Sequence, residues 1–440
     1  MLEKLFKLSS KKTNVKTEVI AGVTTFLTMA YILGVNPAML GDAGMPMQSV
    51  FLATALSSGI ACLVMGLVAN YPVALAPGMG VNALFTYTVV LTNGFSWQAA
   101  LAAVFVSGVI FLIISITGLR KFILELIPRN LRIAIGAGIG FFIAFVGLQN
   151  AGIVVPSVAT GVSVGDMHDP AVLLALFGIV VTLTLVIKKV KAGIFYGLVL
   201  TAIVGVVLSM LGVTNMPVFT GVVSADFDFS TFGAFTQGFG ELFSNPSTAF
   251  VVVFSFLFVD FFDTAGTLLA VAHETDIMDK KTGELKDVEK ALLADSIGTV
   301  IGAAAGTSTV TAYIESTSGI EVGGRTGLTA VVAGLLFFVA VLFSPLLSMV
   351  TSSVTTSALV VVGILMAKQL KEIDWDDMVS AASGFITIIM MVVAYSISDG
   401  IAFGFITYAL ASVASGKGGK IRLAIWLLVA IFILYFAISK

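Results

Sequence analysis

A single cysteine, Cys62, two histidines and three tryptophans are all that this chain of 440 residues holds of those types. One cysteine excludes an intramolecular disulfide. His168 and His273 stand far apart in separate polar segments and read as surface residues, so no metal site is expected. Charge is scarce as well, 11% Asp, Glu, Lys and Arg against about a quarter in a soluble domain. That composition excludes a disordered chain and a nucleic-acid-binding protein. The formal net charge of −2 names no partner by itself. The sequence has no Gly-Lys-Ser/Thr phosphate loop, no HExxH and no paired CxxC. Their absence argues against an enzyme, a cofactor-dependent activity or an ATP-driven pump on this chain.

What is present is apolar. The hydrophobic set makes up 58% of the residues, mean hydropathy is +1.08, and glycine contributes 44 residues, a share normal for packed membrane helices. A helical span needs roughly 17–25 mostly apolar residues. Such runs lie near 17–40, 49–69, 72–92, 97–118, 131–150, 171–187, 192–212, 247–272, 289–305, 307–321, 326–343, 351–367, 378–397, 399–415 and 421–438. The first is long and continues into further spans, which reads as a span and not a cleaved leader. The longest polar stretches, 213–246 and 273–290, read as loops.

Basic residues provide an independent test of the map, because short cytoplasmic loops are enriched in Lys and Arg. Lys4, Lys7, Lys11, Lys12 and Lys16 precede the first span, and Arg120, Lys121, Arg129 and Arg132 follow the fourth. Lys188, Lys189 and Lys191 follow the sixth, Lys280, Lys281, Lys286 and Lys290 the eighth, and Arg325 the tenth. Lys368 and Lys371 follow the twelfth, and Lys417, Lys420 and Arg422 the fourteenth. Every basic residue before the terminal Lys440 falls after an even number of spans, and 41–48, 151–170 and 213–246 hold neither Lys nor Arg. The expectation is a multi-pass protein of the cell membrane with a cytoplasmic N-terminus.

Dividing the map after the seventh span gives two halves, 1–246 and 247–415, that enter the membrane from opposite sides. This is the arithmetic of an inverted-topology repeat, common in secondary transporters. The third span of each half is broken. In the first it reads Ala76-Pro77-Gly78-Met79-Gly80-Val81-Asn82-Ala83, and in the second the small residues of 302–311 lead into Ala312-Tyr313-Ile314-Glu315. Any one of these glycines reads most simply as a packing residue. Their matched placement points to a midplane site, since unwound backbone is tolerated only against a cavity or ligand.

Four acids lie inside predicted spans, Asp260, Asp263, Asp295 and Glu315, with no basic residue expected at their depth. A carboxylate at mid-membrane costs about 2.5–3.5 kcal/mol even on the insertion scale. These acids are therefore candidates for binding substrate or carrying protons. Asp260 and Asp263 share a helix face, Asp263 is followed by small and hydroxyl residues, and Glu315 lies on the broken tenth span. For Asp295, a packing role near Lys290 weighs about as much as a functional one, and Asp260 has a fair packing reading too.

The segments Thr13–Gly22, Leu27–Ile32 with Asn36-Pro37, Ala76–Ala83, Phe258–Thr267 and Tyr313–Ser316 together resemble the AzgA-like branch of nucleobase transporters. These are the guanine/hypoxanthine permeases of the nucleobase–cation symporter-2, or xanthine/uracil permease, family. The resemblance runs from about residue 13 to 415. It implies a seven-plus-seven all-α fold in which a core (spans 1–4 and 8–11) moves against a gate (spans 5–7 and 12–14). The run 421–438 departs from it as an additional C-terminal span. The resemblance also implies substrate roles for Asp263, Glu315 and Asn82, with Ile314 and Ser316 offering backbone groups beside Glu315.

The resulting expectation is a secondary active transporter that imports purine nucleobases (hypoxanthine and guanine, with adenine left open) by proton symport. Asp263 and Glu315 would bracket the base, and Asp263, Glu315 and Asp260 are the proton-coupling candidates. Partners are then the purine, the proton and the lipid bilayer, with room for a homodimer through gate contacts that no motif establishes. Two alternatives stand beside it. An anion transporter or channel on the same fold would favour positive groups where this chain has acids. A nontransporting membrane receptor would bind without flux.

Overall fold

Residues 2–117, 128–274 and 288–439 are described in a computed structural model of the chain. Arg120, Lys121, Lys280, Lys281 and Lys286 lie outside the described residues, as does the side chain of His273. The elements follow the apolar runs closely. A short helix α1 (Leu2–Phe6) precedes α2 (Val15–Met29) and α3 (Ile32–Asp42), which together make the first run. They meet in a bend at Ala30–Tyr31, where Leu33 and Gly34 bond three residues back and Pro37 removes a donor from α3. α4 (Met47–Val64) is followed by the first break: β1 (Leu75–Pro77), then α5 (Met79–Ala83), continued as a wider helical coil over Leu84–Thr92. α6 (Trp97–Thr117), α7 (Arg129–Asn150), α8 (Pro170–Ile187) and α9 (Gly193–Met210) complete the first half, with a hairpin of β2 (Val154–Ser157) and β3 (Gly161–Val164) between α7 and α8.

α10 (Phe235–Leu242) follows, inside the stretch expected to be loop. Phe235, Phe239 and Leu242 form a helical stripe in an otherwise polar segment. It packs on α6, with Phe235 stacked on Phe105 at 4.3 Å between ring centroids. α11 (Pro246–Glu274) and α12 (Val288–Ala305) lead to the second break, β4 (Val310–Ala312) and α13 (Ser316–Glu321). α14 (Gly327–Ala340), α15 (Ser352–Ala367), α16 (Met378–Val393), α17 (Ile397–Ala414) and α18 (Leu423–Ser439) follow. Ten helical stretches among the described residues are long and apolar enough to cross a membrane. The sequence map counts fifteen runs because it includes the two interrupted third spans, the acid-bearing α12, and the shorter α16 and α18.

Helix ends are closed by the residue types the physics favours. Asn14, Asp169, Thr326, Asp377 and Ser396 each cap the following helix with a side-chain oxygen. The start of α14 is satisfied from a distance as well: Glu18, buried on α2, accepts from the Arg325 and Thr326 amides and the Thr329 hydroxyl, while Asn70 accepts from Gly327.

The helices pack in two sets. α2, α3, α4, α6, α11, α12 and α14 surround the breaks, while α7, α8, α9, α15, α16 and α17 form the other set. Within the second set α7 and α15 cross at glycines. A Cβ on Gly363 would stand 2.5 Å from the Gly140 carbonyl oxygen, and one on Gly140 2.8 Å from that of Gly363. α18 lies on both sets, against α11 and α17.

Candidate functional site

The two breaks meet. β1 and β4 pair antiparallel, Leu75 with Ala312, Ala76 with Thr311 and Pro77 with Val310, and the Gly78 amide adds a bond to the Thr309 carbonyl at 3.1 Å. Pro77 lacks an N–H, and the strand pair takes up backbone groups that a helix would have used internally. A Cβ on Gly78 would come within 2.6 Å of the Thr311 methyl carbon and 3.5 Å of Asp263 Oδ2. Glycine therefore lets the strand lie directly against the α11 carboxylate.

The four acids divide into two pairs. Asp263 and Glu315 are both part-buried, on α11 and at the cap position of α13, and lie within electrostatic reach of each other beside the hydroxyls of Tyr31 and Tyr313. The Tyr31 hydroxyl donates to Glu315 Oε1 at 2.5 Å, and that of Tyr313 to the Pro77 carbonyl at 2.5 Å. Neither carboxylate has a salt bridge among the described residues. On the same helix as Asp263, the Phe262 ring centroid lies 5.4 Å from the guanidinium of Arg132.

Asp260 and Asp295 lie behind the strands, both fully enclosed. Asp295 Oδ1 accepts from the Thr264 hydroxyl at 2.6 Å and from the Ala312 amide at 3.0 Å, so it supports β4 from outside the ladder. Asp260 Oδ2 accepts from Thr299 at 2.9 Å. Asp260 Oδ1 and Asp295 Oδ2 have no hydrogen-bond partner.

The remaining expected residues are placed as follows. Ile314 is 49% exposed beside Glu315, and its carbonyl accepts from the Thr317 amide and hydroxyl. The Ser316 amide closes a turn onto the Tyr313 carbonyl, and its hydroxyl oxygen accepts from the Ala74 amide at 3.0 Å. Asn82 is fully buried, its Oδ1 accepting from Ser308 and its Nδ2 left without a partner. Ser316 and Asn82 thus join the two breaks to each other. Tyr31 was missed from sequence although it sits in the quoted segment Leu27–Ile32, because its contact to Glu315 spans 284 positions. A tyrosine at a bend between two helical pieces was the available signal.

Comparisons with known proteins bear on these residues as a whole. The family model Xan_ur_permease, described as "Permease family", matches residues 16–403. The chain is 45% identical over 453 residues to the guanine/hypoxanthine permease PbuG of Bacillus subtilis strain 168, covering 100% of both. It is 40% identical over 437 residues to the adenine permease AdeP of Escherichia coli K12, covering 99% of this chain and 95% of that protein. In three dimensions it is similar to the transmembrane domain of a cyanobacterium bicarbonate transporter, BicA, with a TM-score of 0.63 and 16% identity over 88% of this chain and 97% of that one. At that identity the likeness concerns the fold alone, which is the seven-plus-seven inverted-repeat transporter fold.

Proposed function

The chain belongs to the permease family matched over residues 16–403, and from that premise we propose that it is a secondary active transporter that imports purine nucleobases by proton symport. The observation that carries this reading is the pair Asp263 and Glu315, which lie within electrostatic reach of each other, Glu315 bonded to the Tyr31 phenol, where the broken spans meet. An oxopurine carries ring N–H donors that carboxylates accept from, and its apolar faces suit Tyr31 and Ile314 beside Glu315. The relatives named as guanine/hypoxanthine and adenine permeases support a purine as the ligand.

In this reading Asp263 and Glu315 bracket the base, and one of them exchanges the coupling proton. Ser316 and Asn82 hold the frame around it, Ile314 forms an apolar wall, and Asp260 is a further proton carrier behind the strands. Spans 1–4 and 8–11 act as a core that moves against a gate of spans 5–7 and 12–14, and neutralising the site by substrate plus proton releases the core to move. The protein spans the cell membrane with its N-terminus facing the cytoplasm, as the basic-residue parity supports. The acids weigh against the anion-transporter alternative, since an anion site favours positive groups.

The test is uptake of labelled hypoxanthine into proteoliposomes under an inward proton gradient, with guanine, adenine and uracil as competitors. Accumulation that a protonophore abolishes and guanine blocks is expected. Accumulation driven by a sodium gradient and indifferent to protonophore would overturn the coupling, and binding without flux would favour a receptor.

A further inference from the structure

At the end of the bundle away from the N-terminus, four residues join the two helix sets. Asp42 ends α3, Tyr87 lies in the wide coil after α5, Asn150 ends α7, and Tyr395 lies between α16 and α17. Asn150 Nδ2 donates to Asp42 Oδ2 at 2.9 Å and to the Tyr87 hydroxyl at 2.8 Å, and that hydroxyl donates to the same Asp42 oxygen at 2.7 Å. All three members of this ring are satisfied by one another.

Beneath the ring, aromatic edges meet aromatic faces. Tyr87 packs edge-on with Tyr395 at 6.0 Å and with Phe142 at 6.3 Å, and Tyr395 contacts Phe142 at 5.4 Å. Tyr395 holds a left-handed backbone, φ +53°, which points its ring into this cluster at some conformational cost. Its carbonyl accepts from Thr92, and the Ile397 amide donates to Thr88. Apart from the Tyr87–Asp42 bond, which joins spans three and one, these bonds run from spans one or three to spans five, thirteen or fourteen. No lysine or arginine takes part, so the closure is made by short neutral donors around one carboxylate.

Beside Glu315, Ile314 is 49% exposed. From Glu315 the chain runs through α13 to Arg325, towards the N-terminal end of the bundle.

We propose that Asp42, Tyr87, Asn150 and Tyr395 form the gate that closes the purine site from the face opposite the N-terminus. Asn150 is its latch, because its amide alone bonds to both Asp42 and Tyr87 across the two sets. The gate rests on the reading that the two sets move relative to each other. Opening it requires the two Asn150 bonds to exchange for water, an exchange that costs little at an exposed rim and makes the closure reversible.

The test uses Ile314→Cys in the full chain. The native Cys62 is buried and serves as a silent background. Sealed vesicles of each orientation are treated with a membrane-impermeant maleimide. The parent is expected to label from the N-terminal face and at least fivefold more slowly from the opposite face. Adding Asn150→Ala or Tyr87→Phe is expected to raise opposite-face labelling severalfold while N-terminal-face labelling persists, which also shows that the variants fold. Fast opposite-face labelling in the parent, or no change in either variant, overturns the gate.

A second variant, Asp42→Cys with Asn150→Cys bridged by a short reducible cross-linker, is expected to stop uptake until reduced. Undiminished uptake by the bridged protein also overturns the gate. Because labelling needs no purine, the gate and the substrate assignment fail separately: a wild-type chain that carries no purine, beside an Ile314→Cys parent that labels as expected, loses only the latter.

Discussion

Glu315 has a phenol for a partner where a soluble protein would supply a base. The Tyr31 hydroxyl occupies one carboxylate oxygen and leaves the other for a ligand. Hydrogen bonds to charged groups contribute about 1.5–3 kcal/mol, so Tyr31→Phe is expected to weaken purine affinity roughly tenfold or more, read by equilibrium binding to purified protein. Glu315→Gln keeps the shape but not the charge and is expected to impair accumulation under a proton gradient, whereas Asp263→Ala is expected to abolish binding. Unchanged concentrative uptake in both variants would refute the site. Asp295 behaves differently in this scheme: Asp295→Ala leaves the Ala312 amide and Thr264 without that acceptor. A buried donor left unpaired costs about 1–3 kcal/mol, so a lowered thermal midpoint is expected even without ligand. The four acids were legible because a carboxylate in an apolar run stands out. Which pair faces the ligand and which supports the strands was not, because that depends on where Ala312 and Tyr31 arrive from distant parts of the chain.

Single elements carry their own predictions. The Ser380 hydroxyl, helped by the Lys417 ammonium and the Ser380 amide, holds the Asp377 carboxyl below the usual carboxylate range at the start of α16. A carboxyl lowered on folding adds stability above its unfolded value of about 3.9 and loses that contribution as pH falls through the lower folded value. Thermal melts of the wild type and Asp377→Asn are therefore expected to differ at neutral pH and converge only well below pH 4. Convergence already at pH 6 would contradict the cap. α18 is an apolar run the sequence marked as an additional span. The structure seats it by Phe432 against Phe254 and Phe405, with the Tyr435 hydroxyl on Asp399 at 3.3 Å. Ending the chain after Lys420 is expected to lower the thermal midpoint and leave purine affinity intact, since none of those contacts involves Asp263 or Glu315. The breaks were readable from Pro77 and Gly78 and from the small residues before Val310, because both stretches are poor at continuing a helix. α10 was not, because an eight-residue helix inside a polar segment is stabilised by Phe105 and Gln98 of another element and not by its own pattern.

For the molecule as a whole, the repeat brings corresponding elements together: the third spans meet as β1 and β4, and the fifth spans meet as α7 and α15 at Gly140 and Gly363. Close crossing of this kind depends on the absence of side chains. The same architecture serves the bicarbonate transporter BicA at 16% identity, so the arrangement of spans cannot choose the ligand. The choice must lie in what the breaks present, and here they present Asp263 and Glu315 with no cation paired to either among the described residues. An anion placed between them would add negative charge to a site already holding two carboxylates, whereas a neutral purine offers N–H donors to both. Bicarbonate and sulfate are therefore expected not to compete with labelled hypoxanthine for binding to the wild-type protein, and guanine is expected to displace it fully. Removing one carboxylate as Asp263→Asn is expected to weaken hypoxanthine binding without creating anion binding, because no positive group takes its place. Displacement of hypoxanthine by bicarbonate would mean that the fold, and not the acids, sets the substrate class.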